Sequence, residues 1–102
     1  FVDLEYFESV LETTDEWIRT RTGIEQRYWL ADDESINDLT EKASRDAISA
    51  AGLNTDDIDG IVLGTVTPDD LFPSAACRLQ GSLGIKEAFA FDLNAVCSGF
   101  VY

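Results

Sequence analysis

Two short apolar runs do most to set what this chain can fold into. Gly60-Ile61-Val62-Leu63-Gly64-Thr65-Val66 is continuous and rich in β-branched residues, and Ala88 to Leu93 repeats the pattern. Runs of this length without polar alternation are the mark of strands buried on both faces. Thr67-Pro68 ends the first run. Pro73-Ser74 then predicts the start of a helix carrying Ala75, Ala76, Leu79 and Leu83, and Gly84 predicts its stop. A strand, a helix and a second strand, joined by a crossover of about twenty residues, make a right-handed βαβ unit with a parallel pair. The class is α/β.

Upstream the period is helical. Val2 to Glu12 reads as a short helix with Phe7, Val10 and Leu11 on one face. Thr13 with Glu16 three residues later forms a capping box for a helix over 14–22, which Gly23 closes. Residues 24–34 read as a loop. Ser35 caps a longer helix with an apolar stripe of Ile36, Leu39, Ala43, Ala47 and Ala50, and Gly52 stops it. Asn54-Thr55-Asp56-Asp57 is a turn. Two parallel strands do not make a stable sheet by themselves. The chain also opens at Phe1-Val2 and closes on Phe100-Val101-Tyr102, an apolar run expected to continue a helix. Residues 1–102 are therefore read as one stretch of a longer α/β protein.

Charge narrows the function classes. Twenty acidic residues face seven basic ones, for a net charge of −13 and a pI near 4.1. Nucleic acid is excluded as a default partner, because phosphate binding calls for a basic face. No apolar run approaches the roughly 20 residues of a membrane helix, so no membrane association is expected. Two cysteines without any histidine cannot complete a structural zinc site, and no metal is expected. Two are also too few for a disulfide scaffold, which fits a reducing, cytoplasmic compartment. Most of the acids lie before residue 60, yet Arg19, Arg21 and Arg27 fall close together among them. Such a cluster is either a site for a specific anion or a set of exposed arginines paired with Asp15, Glu16 or Glu25.

The second strand leads into Asn94-Ala95-Val96-Cys97-Ser98-Gly99-Phe100. A cysteine at a strand-to-helix turn lies near the unpaired N–H groups and positive dipole end of the following helix, which favours thiolate. Ser98 and Gly99 are small enough to admit a substrate, and their N–H groups are candidates to hold an oxyanion. The arrangement parallels a nucleophile elbow. The alternative is a small buried apolar residue, the commoner fate of a free cysteine. Cys77, beside Ala75 and Ala76, takes that second reading. A nucleophilic cysteine needs a base or electrostatic partner, and with no histidine in the chain that partner must come from elsewhere.

Three motifs carry a resemblance. Asp15-Glu16-Trp17-Ile18-Arg19-Thr20-Arg21-Thr22-Gly23-Ile24, Phe72-Pro73-Ser74-Ala75-Ala76-Cys77 and Phe91-Asp92-Leu93-Asn94-Ala95-Val96-Cys97-Ser98-Gly99-Phe100 together resemble β-ketoacyl-[acyl-carrier-protein] synthase III, in that family's order and spacing. The resemblance implies a thiolase-like fold of layered α-β-α-β-α architecture, built from two similar halves and assembled as a homodimer. This chain would be an incomplete first half, without the opening strand and the entire C-terminal half. The implied activity is the first condensation of type II fatty acid synthesis. A short acyl group passes from acyl-CoA to Cys97 and is then attacked by the carbanion of malonyl-acyl carrier protein. Acyl-CoA is a substrate, so no cofactor is implied. The family's partner histidine and asparagine would lie downstream.

By position, the resemblance makes Trp17 and Arg21 the residues that hold the adenine end of coenzyme A, with Thr13 in the same site. An indole face stacks a purine, and a guanidinium adds a cation over the ring or a phosphate contact. Taken alone, Trp17 reads equally as a half-buried core aromatic. Phe72 is implied to reach across the dimer to the partner's acyl pocket; by itself it reads as a hydrophobic staple before the 74–83 helix. Val66 stands where many members have a threonine lining that pocket, removing a hydroxyl at nearly constant volume. Two other readings are kept. One is a related synthase of the 3-hydroxy-3-methylglutaryl-CoA or polyketide type, and the other is a non-catalytic partner subunit.

Overall fold

The computed structural model describes residues 2–3 and 5–102, which fall into two compact units divided after Asp33. In the first, β1 (Val2–Asp3) pairs antiparallel with β2 (Gln26–Arg27), matching Val2 to Arg27 and Asp3 to Gln26. Strands of two residues are too short to show a period, so the helix expected from Val2 and the loop expected over 24–34 each give up residues to this ladder. Helix α1 is correspondingly shorter, Glu5–Val10, and Val10 and Leu11 stay exposed. Tyr6, Phe7 and Trp29 meet edge to face, with ring centroids 5.3–5.8 Å apart.

Helix α2 (Asp15–Thr22) is capped by Thr14 rather than Thr13. The Thr14 hydroxyl accepts from the Trp17 backbone N–H at 3.1 Å. Trp17 thus takes the third helical position, where a capping box would need a carboxylate or amide side chain. Gly23 closes α2 as expected, at φ +70° and donating to the Arg19 carbonyl at 2.8 Å. Ile18 is the helix's buried residue.

The second unit holds the predicted βαβ. Strands β3 (Gly60–Gly64) and β4 (Phe89–Leu93) are parallel, with Gly60 opposite Phe89 and Gly64 opposite Leu93, and helix α4 (Ala75–Leu83) crosses between them. Leu79 and Leu83 of α4 and Ile85 form the core, against which Ile58, Ile61, Leu63 and Ala88 pack. Ser74 caps α4 by accepting from Cys77 N–H at 3.2 Å. At the other end the Ile85 N–H bonds the Gln80 carbonyl, so the chain reverses through Gly84 at φ +72° and brings Ile85 into the core.

Burial is less complete than the runs predict. Ile61 and Leu63 face the core, but Val62, Phe89 and Phe91 are exposed, and the Phe89 and Phe91 rings stack at 6.0 Å. A strand reads as buried on both faces only when a layer covers each, and among the described residues the second face has none. Helix α3 (Ile36–Ala50) has its full capping box, Ser35 with Asp38, and joins α4 through Asn37 Nδ2 donating to Ser82 Oγ at 2.9 Å. Its stripe is not buried. Leu39, Ala43, Ala47 and Ala50 remain exposed, and Ala43 and Ala47 border an unfilled groove of about 430 Å³ against β3 and α4. No helix among the described residues is long and apolar enough to cross a membrane.

Candidate active site

The turn after β4 is built around one strained residue. Val96 sits at φ +48°, a left-handed conformation that a β-branched side chain rarely adopts. It presents Cys97 at the surface, exposed and free of any disulfide. Residues Val96–Ser98 form a 3-10 turn and 99–101 a turn, with the Ser98 carbonyl accepting from the Tyr102 N–H at 3.2 Å. The apolar ending runs on as turn, with Phe100 and Tyr102 exposed. The N–H groups of Ser98 and Gly99 already donate to Ala95 and Val96 carbonyls, at 2.9 and 3.2 Å, and are not open to an oxyanion.

Glycine lets this turn lie against the sheet. A Cβ on Gly99 would stand 3.4 Å from the Val96 carbonyl oxygen and 3.7 Å from Gly64 Cα, so the backbones of Gly64 and Gly99 are in near contact. A cavity of about 270 Å³ lies there between Val62, Gly64 and Gly99, Phe100, Tyr102. A second, of about 380 Å³, is lined by Val66 with Leu71, Phe91, Asp92 and Asn94. Phe72 is not among its lining residues and is 90% exposed, so it staples nothing to α4. Cys77 is exposed rather than buried, on the first turn of α4, with its sulfur 3.8 Å from the Ala90 carbonyl oxygen.

Sequence reading passed over Asp92, whose carboxylate accepts from the Ala75 and Ala76 N–H groups at 3.0 and 2.8 Å. It ties the start of α4 to the strand that leads to Cys97. An acid inside an otherwise apolar strand was the available signal.

The first unit carries the other candidate group. Trp17 is 56% exposed, and one helical turn on, the Arg21 guanidinium carbon lies 5.6 Å from the Trp17 ring centroid. Thr13 and Trp17 border a cleft of about 820 Å³ with Phe7, Leu11, Glu12 and Arg27. Arg19 takes the surface-pair reading, bonded to Asp15 at 2.6 Å and near Glu25 at 3.5 Å. Arg27, the third arginine of the cluster, lines the cleft.

No protein-family model matches the chain. Individual proteins do. It is 55% identical over 101 residues to a β-ketoacyl-[acyl-carrier-protein] synthase III of Clostridium perfringens, covering 99% of this chain and 31% of that protein. It is 56% identical over 93 residues to one of Xanthomonas campestris, covering 91% and 29%. The crystal structure of 3-oxoacyl-[acyl-carrier-protein] synthase III from Aquifex aeolicus VF5 superposes with a TM-score of 0.83 at 42% identity, over 99% of this chain and 32% of that one. Over nearly its whole length the chain is similar to part of the β-ketoacyl-[acyl-carrier-protein] synthase III enzymes.

The chain spans about a third of the length of the curated relatives it matches. Its α/β fold is part of the thiolase-like fold of those enzymes. A priming β-ketosynthase from the R1128 polyketide biosynthetic pathway is also similar, at 36% identity and a TM-score of 0.82.

Proposed function

We propose that this chain is the nucleophile-bearing part of a β-ketoacyl-[acyl-carrier-protein] synthase III, an acyltransferase initiating type II fatty acid synthesis in the cytoplasm. The observation that carries the reading is the exposed Cys97 on a strained turn at the end of β4. Its sulfur attacks the thioester carbonyl of a short acyl-CoA, the new C–S bond forms, and the coenzyme A thiolate leaves. Malonyl-acyl carrier protein then loses carbon dioxide, and the resulting carbanion attacks the Cys97 thioester to give a β-ketoacyl product and the free cysteine. Trp17, Arg21 and Thr13 hold the nucleotide end of the coenzyme. Val66 lines the acyl pocket, and Phe72, projecting into solvent, contributes to the pocket of the second subunit of a homodimer.

The histidine and asparagine that stabilise the thioester enolate belong to residues outside this sequence, which has no histidine. The 102 residues alone are accordingly inactive, and the incomplete first half that they represent works only within the full-length protein. Product analysis tests the reaction. Full-length protein given acetyl-CoA and malonyl-acyl carrier protein should yield acetoacetyl-acyl carrier protein. A protein that instead condenses malonyl-CoA, or acetyl-CoA with acetoacetyl-CoA, is a polyketide or 3-hydroxy-3-methylglutaryl-CoA type of synthase. The likeness to a polyketide priming β-ketosynthase supports the first of these as the second reading. A protein that forms no product from any of these pairs is a non-catalytic subunit.

A further inference from the structure

The three clustered arginines have different surroundings. Arg19 is paired with Asp15 and Glu25, and Arg21 lies over the Trp17 ring. Arg27 has neither arrangement. The β1–β2 pairing fixes its backbone opposite Val2, and its guanidinium carbon sits 4.6 Å from the Phe7 ring centroid. The side chain lines the cleft shared with Thr13 and Trp17, and it makes no ion pair with the described carboxylates. Its Nε is buried and has no hydrogen-bond acceptor. A buried guanidinium N–H left unpaired is costly and rare. Glu12 is the acid on the same cleft wall.

An aromatic wall, a hydroxyl and a guanidinium without an ion pair to the described carboxylates together match a base joined to phosphate, because the fork of arginine pairs phosphate oxygens two at a time. In a chain of net charge −13, an anion needs such a local cation to approach at all. We propose that Arg27 is a further binding residue of this cleft, its guanidinium taking a phosphate at the nucleotide end of the acyl-CoA. The inference rests on the coenzyme A reading of the Trp17 cleft.

The test compares three acyl donors in the full-length protein: acetyl-CoA, its analogue lacking the 3′-phosphate, and acetyl-pantetheine, which has no nucleotide. Arg27→Ala should raise KM for acetyl-CoA about 10- to 100-fold, as expected for a lost charge-assisted hydrogen bond, with kcat unchanged. Its KM for acetyl-pantetheine should stay at the wild-type value. Arg27→Lys, which keeps the charge without the fork, should fall between. A loss shared with the analogue assigns the diphosphate, and a loss confined to acetyl-CoA assigns the 3′-phosphate; either supports the proposal. An equal loss on all three donors shows a merely structural arginine and overturns it, as does no loss on any. Wild-type protein that uses acetyl-pantetheine as well as acetyl-CoA would instead overturn the coenzyme A reading itself.

Discussion

A valine in the left-handed region holds its conformation only because the surrounding turn over-determines it. At Val96 the cost is about 1–2 kcal/mol for an L-residue, while the side chain, 73% exposed, returns little through burial. Val96→Gly should therefore leave stability within about 1 kcal/mol of wild type by denaturant titration, since relief of strain offsets the added freedom of the unfolded chain. It should at the same time slow alkylation and acylation of Cys97, because the turn no longer aims the sulfur. A loss of stability well beyond that range would show that Val96 is a packing residue. Trp17 supports a parallel test. As a half-exposed side chain, Trp17→Ala should change stability by less than about 0.5 kcal/mol, yet raise KM for acetyl-CoA in the full-length protein.

Elements were legible where local chemistry decides them. Gly84 and Gly52 at positive φ and the Ser35 and Ser74 caps stand where the sequence puts them, because a cap or a left-handed stop depends on a few neighbouring residues. Thr13 and Thr14 offered the same hydroxyl one residue apart, and only the backbone chose between them. The two-residue strands and the single 3-10 turn at Cys97 left no periodic trace. Asp92 is the element-scale device the sequence hid. Its carboxylate fastens α4 to β4, so Asp92→Ala should cost about 1–3 kcal/mol in urea unfolding by leaving two helix N-terminal N–H groups without their acceptor. The α3 cap adds a pH dependence. Hydrogen bonds from the Ser35 hydroxyl and backbone hold the Asp38 carboxyl below its usual range. A depressed carboxyl contributes stability above its unfolded-state value and loses it as pH falls through the folded one. Acid titration of α3 helicity should show this loss, and Asp38→Asn should remove the pH dependence.

For the whole molecule, fold class and the βαβ crossover were readable because apolar runs report burial across many residues at once. What the runs could not report is which layer covers them. Val62, Phe89 and Phe91 on the sheet and the Leu39–Ala50 stripe of α3 are core-type residues without a cover among the described residues, and the buried set reduces to Ile18, Ala76, Leu79, Leu83 and Ile85. A core of that size is small for 102 residues. The isolated chain is expected to bind a hydrophobic dye and to form larger assemblies as its concentration rises, and the full-length homodimer to do neither. The catalytic account makes its sharpest claim at one atom. Full-length protein incubated with radiolabelled acetyl-CoA, without malonyl-acyl carrier protein, and digested should carry its label on the peptide containing Cys97, with none in Cys97→Ala. Absence of label from that peptide across short acyl donors, or label that survives the substitution, would contradict it.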